Sequence, residues 1–131
     1  PMYNLCKTLI NAGHQVSVIL GFNSKEDVFF EDEFKNLGAN VYITTVDGSY
    51  GIKGFVTDAM KNLEYSYFYA CGPMPMMKAI YNESKSNGEF SLEAKMGCGF
   101  GACMGCSIMT TTGPKRVCKE GPVFLASEVI F

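Results

Sequence analysis

The stretch GCGFGACMGC, residues 97–106, decides how the C-terminal part of this chain can fold, and a further cysteine, Cys118, follows it. Its cysteines are spaced C-x4-C-x2-C, which with a more distant fourth cysteine is the plant-type pattern of 2Fe–2S ligands. A loop this short must wrap three thiolates around a compact cluster and turn its backbone N–H groups towards the sulfurs. The glycines of the stretch permit the positive φ angles and close backbone approach that such wrapping requires. The pattern therefore predicts a 2Fe–2S cluster held by Cys98, Cys103, Cys106 and Cys118.

Other uses of clustered cysteines stay open at this point. A zinc ion with four cysteine ligands would make the segment a zinc-stabilised interaction domain without a redox role. Zinc folds usually present two C-x2-C knuckles, whereas only Cys103 and Cys106 form such a pair here. A thioredoxin-like pair at these two residues should open a helix after a strand, not lie in a glycine-rich loop. A disulfide framework is disfavoured because Cys6 and Cys71 are scattered singly and no secretory signal is visible.

The composition of the chain narrows the class of protein. The 131 residues carry eleven basic and thirteen acidic side chains, for a net charge of −2. This balance lacks the basic footprint of a nucleic-acid binder. Apolar runs such as 16–22 are far too short to cross a bilayer. We therefore expect a cytoplasmic protein with neither nucleic acid nor a membrane as a partner.

The first 90 residues alternate segments of helical and strand-like periodicity. Such alternation predicts βαβ units, and hence an α/β fold with a parallel sheet and helices on both of its faces. The pattern predicts helices at 2–12, 23–37, 53–63 and 75–86, and strands at 15–21, 40–46, 66–71 and 89–95. From about residue 91 the alternation stops and glycine becomes dense. We therefore expect a partial NAD-binding domain at 1–90 and a small cysteine-rich 2Fe–2S domain at 91–131.

The start of the chain indicates that this Rossmann-like sheet is incomplete. A nucleotide-binding half normally opens with a strand and a glycine-rich turn, whereas this sequence begins inside a helix at Pro1 and has no G-x-G-x-x-G. We expect a fragment of a longer polypeptide. A sheet without its first strand would expose edges that invite pairing with another chain, so homo-oligomers are also expected.

Three loops follow the carboxyl ends of predicted strands, where open α/β sheets bind their ligands. They are residues 21–25, 47–49 and 71–73, and all contain Gly, Asn, Ser or Asp. A dinucleotide would lie at this edge of the sheet.

Several motifs carry a resemblance to a known family. GCGFGACMGC, KRVCKEGPVF at 115–124, DGSYGIKGFVTD at 47–58 and YACGPMPMM at 69–77 are similar to the electron-transfer subunit of NAD-dependent dihydroorotate dehydrogenase B. That family belongs to the ferredoxin–NADP reductase-like superfamily. The similarity runs along essentially the whole chain and matches only the later part of the family protein, whose FAD-binding barrel would precede Pro1.

The resemblance implies a function in pyrimidine biosynthesis. The full subunit carries FAD and a 2Fe–2S cluster, and it partners an FMN-containing catalytic subunit that oxidises dihydroorotate to orotate. Electrons pass from FMN through the cluster to FAD, and then as hydride to NAD⁺. The chain alone would lack a flavin site and would not oxidise NADH.

The same resemblance implies roles for individual residues. The four clustered cysteines become cluster ligands, and Cys71, Gly72 and Pro73 match a C-G-P turn that lies beside the nicotinamide. Asp47, Gly48 and Ser49 match a loop that lines the same cleft.

A related oxidoreductase is the closest competitor. The flavin subunit of NADH-dependent ferredoxin:NADP oxidoreductases, or sulfide dehydrogenase, looks similar through this region but tends to have Asp at the position of Cys98. The fourth cysteine favours the dihydroorotate enzyme.

Overall fold

The computed structural model describes all 131 residues, which form two compact units, Pro1–Leu63 and Glu64–Phe131. The longest helices have ten residues each, and no helix is long and apolar enough to span a bilayer.

The first unit is built on a three-stranded parallel sheet in the order β1-β2-β3. Its strands are β1 (Ser17–Phe22), β2 (Asn40–Thr45) and β3 (Ile52–Lys53). Its helices are α1 (Met2–Asn11), α2 (Glu31–Asn36) and α3 (Val56–Met60), with a 3-10 turn at Lys25–Asp27. β1 and β2 are in register from Ser17 opposite Asn40 to Phe22 opposite Thr45, so their carboxyl ends lie side by side.

The core of this unit joins its first two helices to the sheet. Cys6 of α1, Phe34 of α2 and Ala39 are buried together, and Val18 of β1 and Val41 of β2 pack against them. The predicted first helix and first two strands are thus confirmed within two residues. Gly13, at φ +89°, ends α1 and donates its N–H to the carbonyl of Ile10, as a helix-terminating glycine does.

Two predicted helices are shorter than their periodicity indicated. The predicted helix at 23–37 is interrupted, because Val28 is extended and Phe30 adopts φ +64°. α2 then starts afresh at Glu31, where three acidic residues favourably face the positive end of the helix dipole. The predicted helix at 53–63 covers only 56–60, because Ile52 and Lys53 pair with β2 as a strand. Asp58 Oδ2 then accepts the N–H of Phe55 over 2.8 Å and caps the shortened helix.

The second unit contains helix α4 and five strands. They are β4 (Tyr67–Cys71), α4 (Met74–Glu83), β5 (Asn87–Ser91), β6 (Ser107–Thr110), β7 (Gly113–Arg116) and β8 (Val123–Leu125). β4 and β5 pair in parallel and β8 joins β5 antiparallel, with Phe90 opposite Phe124 in its core. β6 and β7 form a separate antiparallel hairpin. The α/β class with parallel pairing is confirmed, although the strands form separate sheets.

The sheet of the second unit draws on residues from both sides of position 90. β8 lies far along the cysteine-rich segment, yet it pairs with β5. The predicted domain boundary near residue 90 therefore differs from the division into compact units after Leu63. The domain boundary near residue 90 stays a prediction.

Candidate functional site

The β6–β7 hairpin brings the last two clustered cysteines together. Cys106 directly precedes β6, and Cys118 follows β7 by two residues. The N–H of Cys118 donates to Cys106 Sγ over 3.4 Å, and that of Val117 donates to the carbonyl of Cys106 over 3.1 Å. Two residues that are twelve positions apart thus become neighbours through the hairpin register.

The glycine-rich loop before this hairpin turns backbone donors towards sulfur. Cys98 Sγ accepts the N–H of Ala102 over 3.2 Å and that of Cys103 over 3.5 Å. Cys103 Sγ in turn accepts the N–H of Gly105 over 3.4 Å. This is the inward N–H arrangement that the sequence predicted for a cluster-binding loop.

Two glycines of the loop leave room for a sulfur atom. A Cβ added at Gly97 would lie 3.3 Å from Cys103 Sγ, and one added at Gly105 would lie 3.4 Å from it. The distance at Gly97 is tighter than ordinary van der Waals contact and the one at Gly105 lies at its lower limit, so a larger residue at Gly97 would press on this thiol.

The backbone donors also favour deprotonated thiols. The N–H groups of Cys103 and its neighbours lower the pKa of Cys98 to about 6. The N–H of Cys118 lowers the pKa of Cys106, whereas the hydrogen bond to Cys106 raises the pKa of Cys118. The thiolate is the form that binds metal, so the backbone donors favour the metal-binding form of Cys98 and Cys106.

The four thiols associate as two pairs. The backbone N–H of Cys103 donates to Cys98 Sγ over 3.5 Å, and the backbone N–H of Cys118 donates to Cys106 Sγ over 3.4 Å. No three Cys, His, Asp or Glu side chains are arranged as a site for a single metal ion. A 2Fe–2S cluster takes two thiolates on each iron, and a donor set arranged in two pairs fits this group. The assignment of the four cysteines as its ligands remains a prediction.

The Asp47–Ser49 turn lies at the carboxyl end of β2. Asp47 Oδ1 accepts the Ser49 N–H over 2.9 Å and the Ser49 hydroxyl over 2.6 Å, and these bonds lower the pKa of Asp47. Ser49 Oγ accepts the N–H of Lys25 over 2.8 Å, which ties this turn to the loop after β1. Gly48 has φ +75°. Asp47 therefore caps its own turn, and its predicted contact with nucleotide stays untested.

The Cys71–Pro73 turn lies in the second unit. Half-buried Cys71 is the last residue of β4, and Pro73 directly precedes α4. Gly72 has φ +155°, and a Cβ there would lie 2.5 Å from the terminal methyl of Met76. The turn thus has the strand-to-helix geometry expected of it, while its contact with nicotinamide stays a prediction.

Sequence reasoning missed one contact at the cysteine loop. Arg116, one of three cations that flank Cys118 in the sequence, donates from Nη1 to the carbonyl of Gly101 over 2.7 Å. The contact spans fifteen residues, and only the hairpin register could have revealed it.

Comparison with known proteins identifies both parts of the chain. Residues 1–82 match the oxidoreductase NAD-binding domain family, and residues 93–130 match the iron–sulfur cluster binding domain of dihydroorotate dehydrogenase B. The expected NAD-binding and iron–sulfur character of the chain is therefore confirmed at the level of domain families.

Individual relatives agree with these families. The electron transfer subunit of dihydroorotate dehydrogenase B (NAD(+)) from Fusobacterium nucleatum is 47% identical over 98% of this chain and 52% of the relative. The subunit of the same name from a Geobacillus species is 46% identical over 99% and 52%, respectively. A solved structure of an NADH-dependent reduced ferredoxin-NADP oxidoreductase superposes with a TM-score of 0.86 at 32% identity, over 98% of this chain and 49% of that protein.

The chain spans about half the length of the curated relatives it matches. The resemblance to the dihydroorotate dehydrogenase B electron-transfer subunit, drawn from the motifs, is confirmed by these matches. The chain belongs to the oxidoreductase NAD-binding domain family, and its C-terminal part is similar to the iron–sulfur cluster binding domain of dihydroorotate dehydrogenase B.

Proposed function

We propose that this chain is the NAD-binding and iron–sulfur portion of an electron-transfer subunit that couples dihydroorotate oxidation to NAD reduction. The observation that carries the proposal is the set of four cysteines, two in a glycine-rich loop with N–H groups aimed at sulfur and two joined across the β6–β7 hairpin. The names of the relatives and both domain matches support the same function.

Each part of the site has a defined contribution. Cys98, Cys103, Cys106 and Cys118 would hold the cluster, and a 2Fe–2S cluster bound there supplies one-electron transfer. The N–H donors of the loop stabilise negative charge on the sulfurs and so influence the potential of the centre. The Asp47–Ser49 turn after β2 and, separately, the Cys71–Pro73 turn at the end of β4 would each contact nucleotide.

The wider assembly is part of the proposal. The catalytic partner would be an FMN-containing dihydroorotate dehydrogenase subunit. FAD would bind to the half of the electron-transfer subunit that this chain does not match. The chain alone would then not oxidise NADH. A reducing compartment such as the cytoplasm would suit the six cysteines, none of which forms a disulfide.

Self-association is a further element of the proposal. β1 lies at an edge of its sheet and has only β2 as a partner. Such an edge offers free backbone groups to a second copy of the chain. Measurement of the solution mass tests this point, since a strictly monomeric chain would contradict it.

The decisive experiment is anaerobic purification of the chain with analysis of its metal. We expect about two irons and two acid-labile sulfides per chain, and visible absorption that dithionite bleaches. Copurification with a coexpressed FMN-containing subunit that oxidises dihydroorotate would support the partner. A colourless chain that holds one zinc ion and no sulfide would overturn the proposal.

A second candidate rests on the structural match to the ferredoxin-NADP oxidoreductase, whose TM-score is 0.86. In that case the chain would serve an NADH-dependent enzyme that exchanges electrons with ferredoxin. Cys98 separates the two, because the competitor family tends to have Asp there. Copurification with a dihydroorotate-oxidising subunit, or with a ferredoxin-linked one, discriminates between them directly.

A further inference from the structure

Arg116 lies among the candidate ligands without being one of them. It is the last residue of β7 and pairs with Ser107, the residue that follows Cys106. Cys118 comes two residues later in the chain. Arg116 is therefore fixed by its backbone to the segments that carry the second pair of cysteines.

Glu120 holds the Arg116 side chain in one orientation. Glu120 Oε2 accepts from Arg116 Nε over 3.0 Å and from the backbone N–H of Arg116 over 2.7 Å, while Nη2 donates to Oε1. The Arg116 side chain is 23% exposed and that of Glu120 is 31% exposed, so water competes only in part for this forked pair. With Nε and Nη2 engaged, Nη1 is left to face the cysteine loop.

The atom that Nη1 contacts is the carbonyl oxygen of buried Gly101, 2.7 Å away. This carbonyl shares a planar peptide unit with the N–H of Ala102, because the peptide bond does not rotate freely. The same N–H donates to Cys98 Sγ over 3.2 Å. A hydrogen bond that fixes one side of this peptide therefore fixes the direction in which the other side points.

We infer that Arg116, oriented by Glu120, is a positioning residue for the iron–sulfur centre. Arg116 fixes the Gly101–Ala102 peptide so that the N–H of this peptide points at Cys98 Sγ. The inference rests on the proposed function, since it takes Cys98 as a ligand. Arg116 thereby joins the loop of the first cysteine pair to the hairpin of the second.

A general effect of positive charge is the competing explanation, and Lys119 provides the matched control. Lys119 is adjacent to Cys118, and its side chain lies near Gly101. The ion pairs of this region join Arg116 to Glu120 and Lys115 to Glu128, which leaves the Lys119 charge outside them. Lys119→Gln removes the same charge as Arg116→Gln without removing the bond to the loop.

The experiment compares the anaerobically purified full chain with its Arg116→Gln, Arg116→Lys and Lys119→Gln variants. The rate of cluster loss is followed by visible absorption in the presence of an iron chelator, and the g values of the dithionite-reduced cluster are recorded by electron paramagnetic resonance. We expect Arg116→Gln to lose the cluster about tenfold faster, the size of effect typical of groups that orient metal ligands. Its g values should shift or broaden, while Lys119→Gln should resemble the wild type.

If Arg116→Gln folds poorly, the Arg116→Lys variant still tests the positioning role. Arg116→Lys retains the charge but not the fork that Glu120 orients, so its rate should also exceed that of the wild type. Wild-type behaviour of both Arg116 variants, or equal acceleration by Lys119→Gln, would overturn the positioning role. A wild-type chain that binds no iron–sulfur cluster would instead overturn the proposed function.

Discussion

The N–H of Cys118 points at Cys106 Sγ across the end of the β6–β7 hairpin, with 3.4 Å between nitrogen and sulfur. This contact depends on the pairing of Ser107 with Arg116, which places the residues on either side of the hairpin in register. The hairpin therefore brings Cys106 and Cys118 together through a backbone N–H that points at sulfur, as the glycine-rich loop does for Cys98 and Cys103.

Replacement of Cys106 by alanine should abolish cluster binding. Cys106 is 3% exposed, and Cys6 of α1, at 4%, is a matched control for the loss of a buried thiol. Cys6 lies in an apolar core and burial raises its pKa, so it behaves as a small apolar side chain. We expect Cys106→Ala to purify without acid-labile sulfide and Cys6→Ala to keep the wild-type content. Loss of sulfide in both variants would point to a general folding defect.

Gly101→Ala should disturb the cysteine loop more than Gly99→Ala does. Both glycines have positive φ, +95° and +73° respectively, so alanine is strained at either position by about 1–2 kcal/mol. Only at Gly101 would the new Cβ crowd other side chains, at 2.8 Å from Lys119 Cδ and 3.2 Å from Arg116 Nη1; at Gly99 it meets nothing within 4 Å.

The measurement for this pair is the rate of cluster loss under chelator. The φ of Gly99 is close to the left-handed region that L residues tolerate and that of Gly101 lies beyond it, so backbone strain and crowding both predict faster loss from Gly101→Ala. Equal rates of loss from the two variants would contradict this prediction.

The sequence predicted the regular helices and strands better than the points at which a helix is interrupted. Periodicity located α1, β2 and β4 within one or two residues, because their apolar spacing is regular. It could not reveal that Phe30 adopts a left-handed conformation that breaks the predicted helix at 23–37. Such a conformation depends on tertiary packing, which overrides local propensity.

The candidate site was predictable in its composition but not in its connections. Cysteine spacing and glycine content indicated the ligands and the inward N–H groups. The short strands β6, β7 and β8 have three or four residues each, too few to show a reliable alternation of apolar side chains. Without their register, the bond from Arg116 to Gly101 could not be foreseen.

Two adjacent threonines of β2 should respond in opposite directions to replacement by valine. Thr44 and Thr45 are both fully buried. Thr44 Oγ1 has no hydrogen-bond partner, whereas Thr45 Oγ1 donates to the Tyr50 carbonyl over 2.6 Å and accepts its N–H over 3.2 Å. A buried hydroxyl without a partner costs stability, so Thr44→Val should raise the free energy of unfolding by about 1 kcal/mol.

Thr45→Val is the matched comparison. It leaves the Tyr50 N–H and carbonyl without their partner, and should lower the free energy of unfolding by about 1–3 kcal/mol. Chemical denaturation of the two variants beside the wild type measures both changes. A destabilised Thr44→Val chain would indicate that its hydroxyl is bonded after all.

Glu31 should stabilise the fold at neutral pH and lose this effect in acid. The Lys35 ammonium, 2.7 Å away, and the Tyr50 hydroxyl both donate to its carboxylate and lower its pKa. A lowered folded-state pKa means that the stabilisation is complete above the unfolded value of about 4.3 and disappears as the pH falls through the folded value.

The melting temperature of the wild type should therefore exceed that of Glu31→Gln at pH 7, and the gap should close below about pH 4. Both proteins contain the same cysteine loop, so its own response to acid cancels in this difference. A Glu31 gap that stays constant from pH 7 to pH 3.5 would contradict the assignment of this carboxylate as the titrating group.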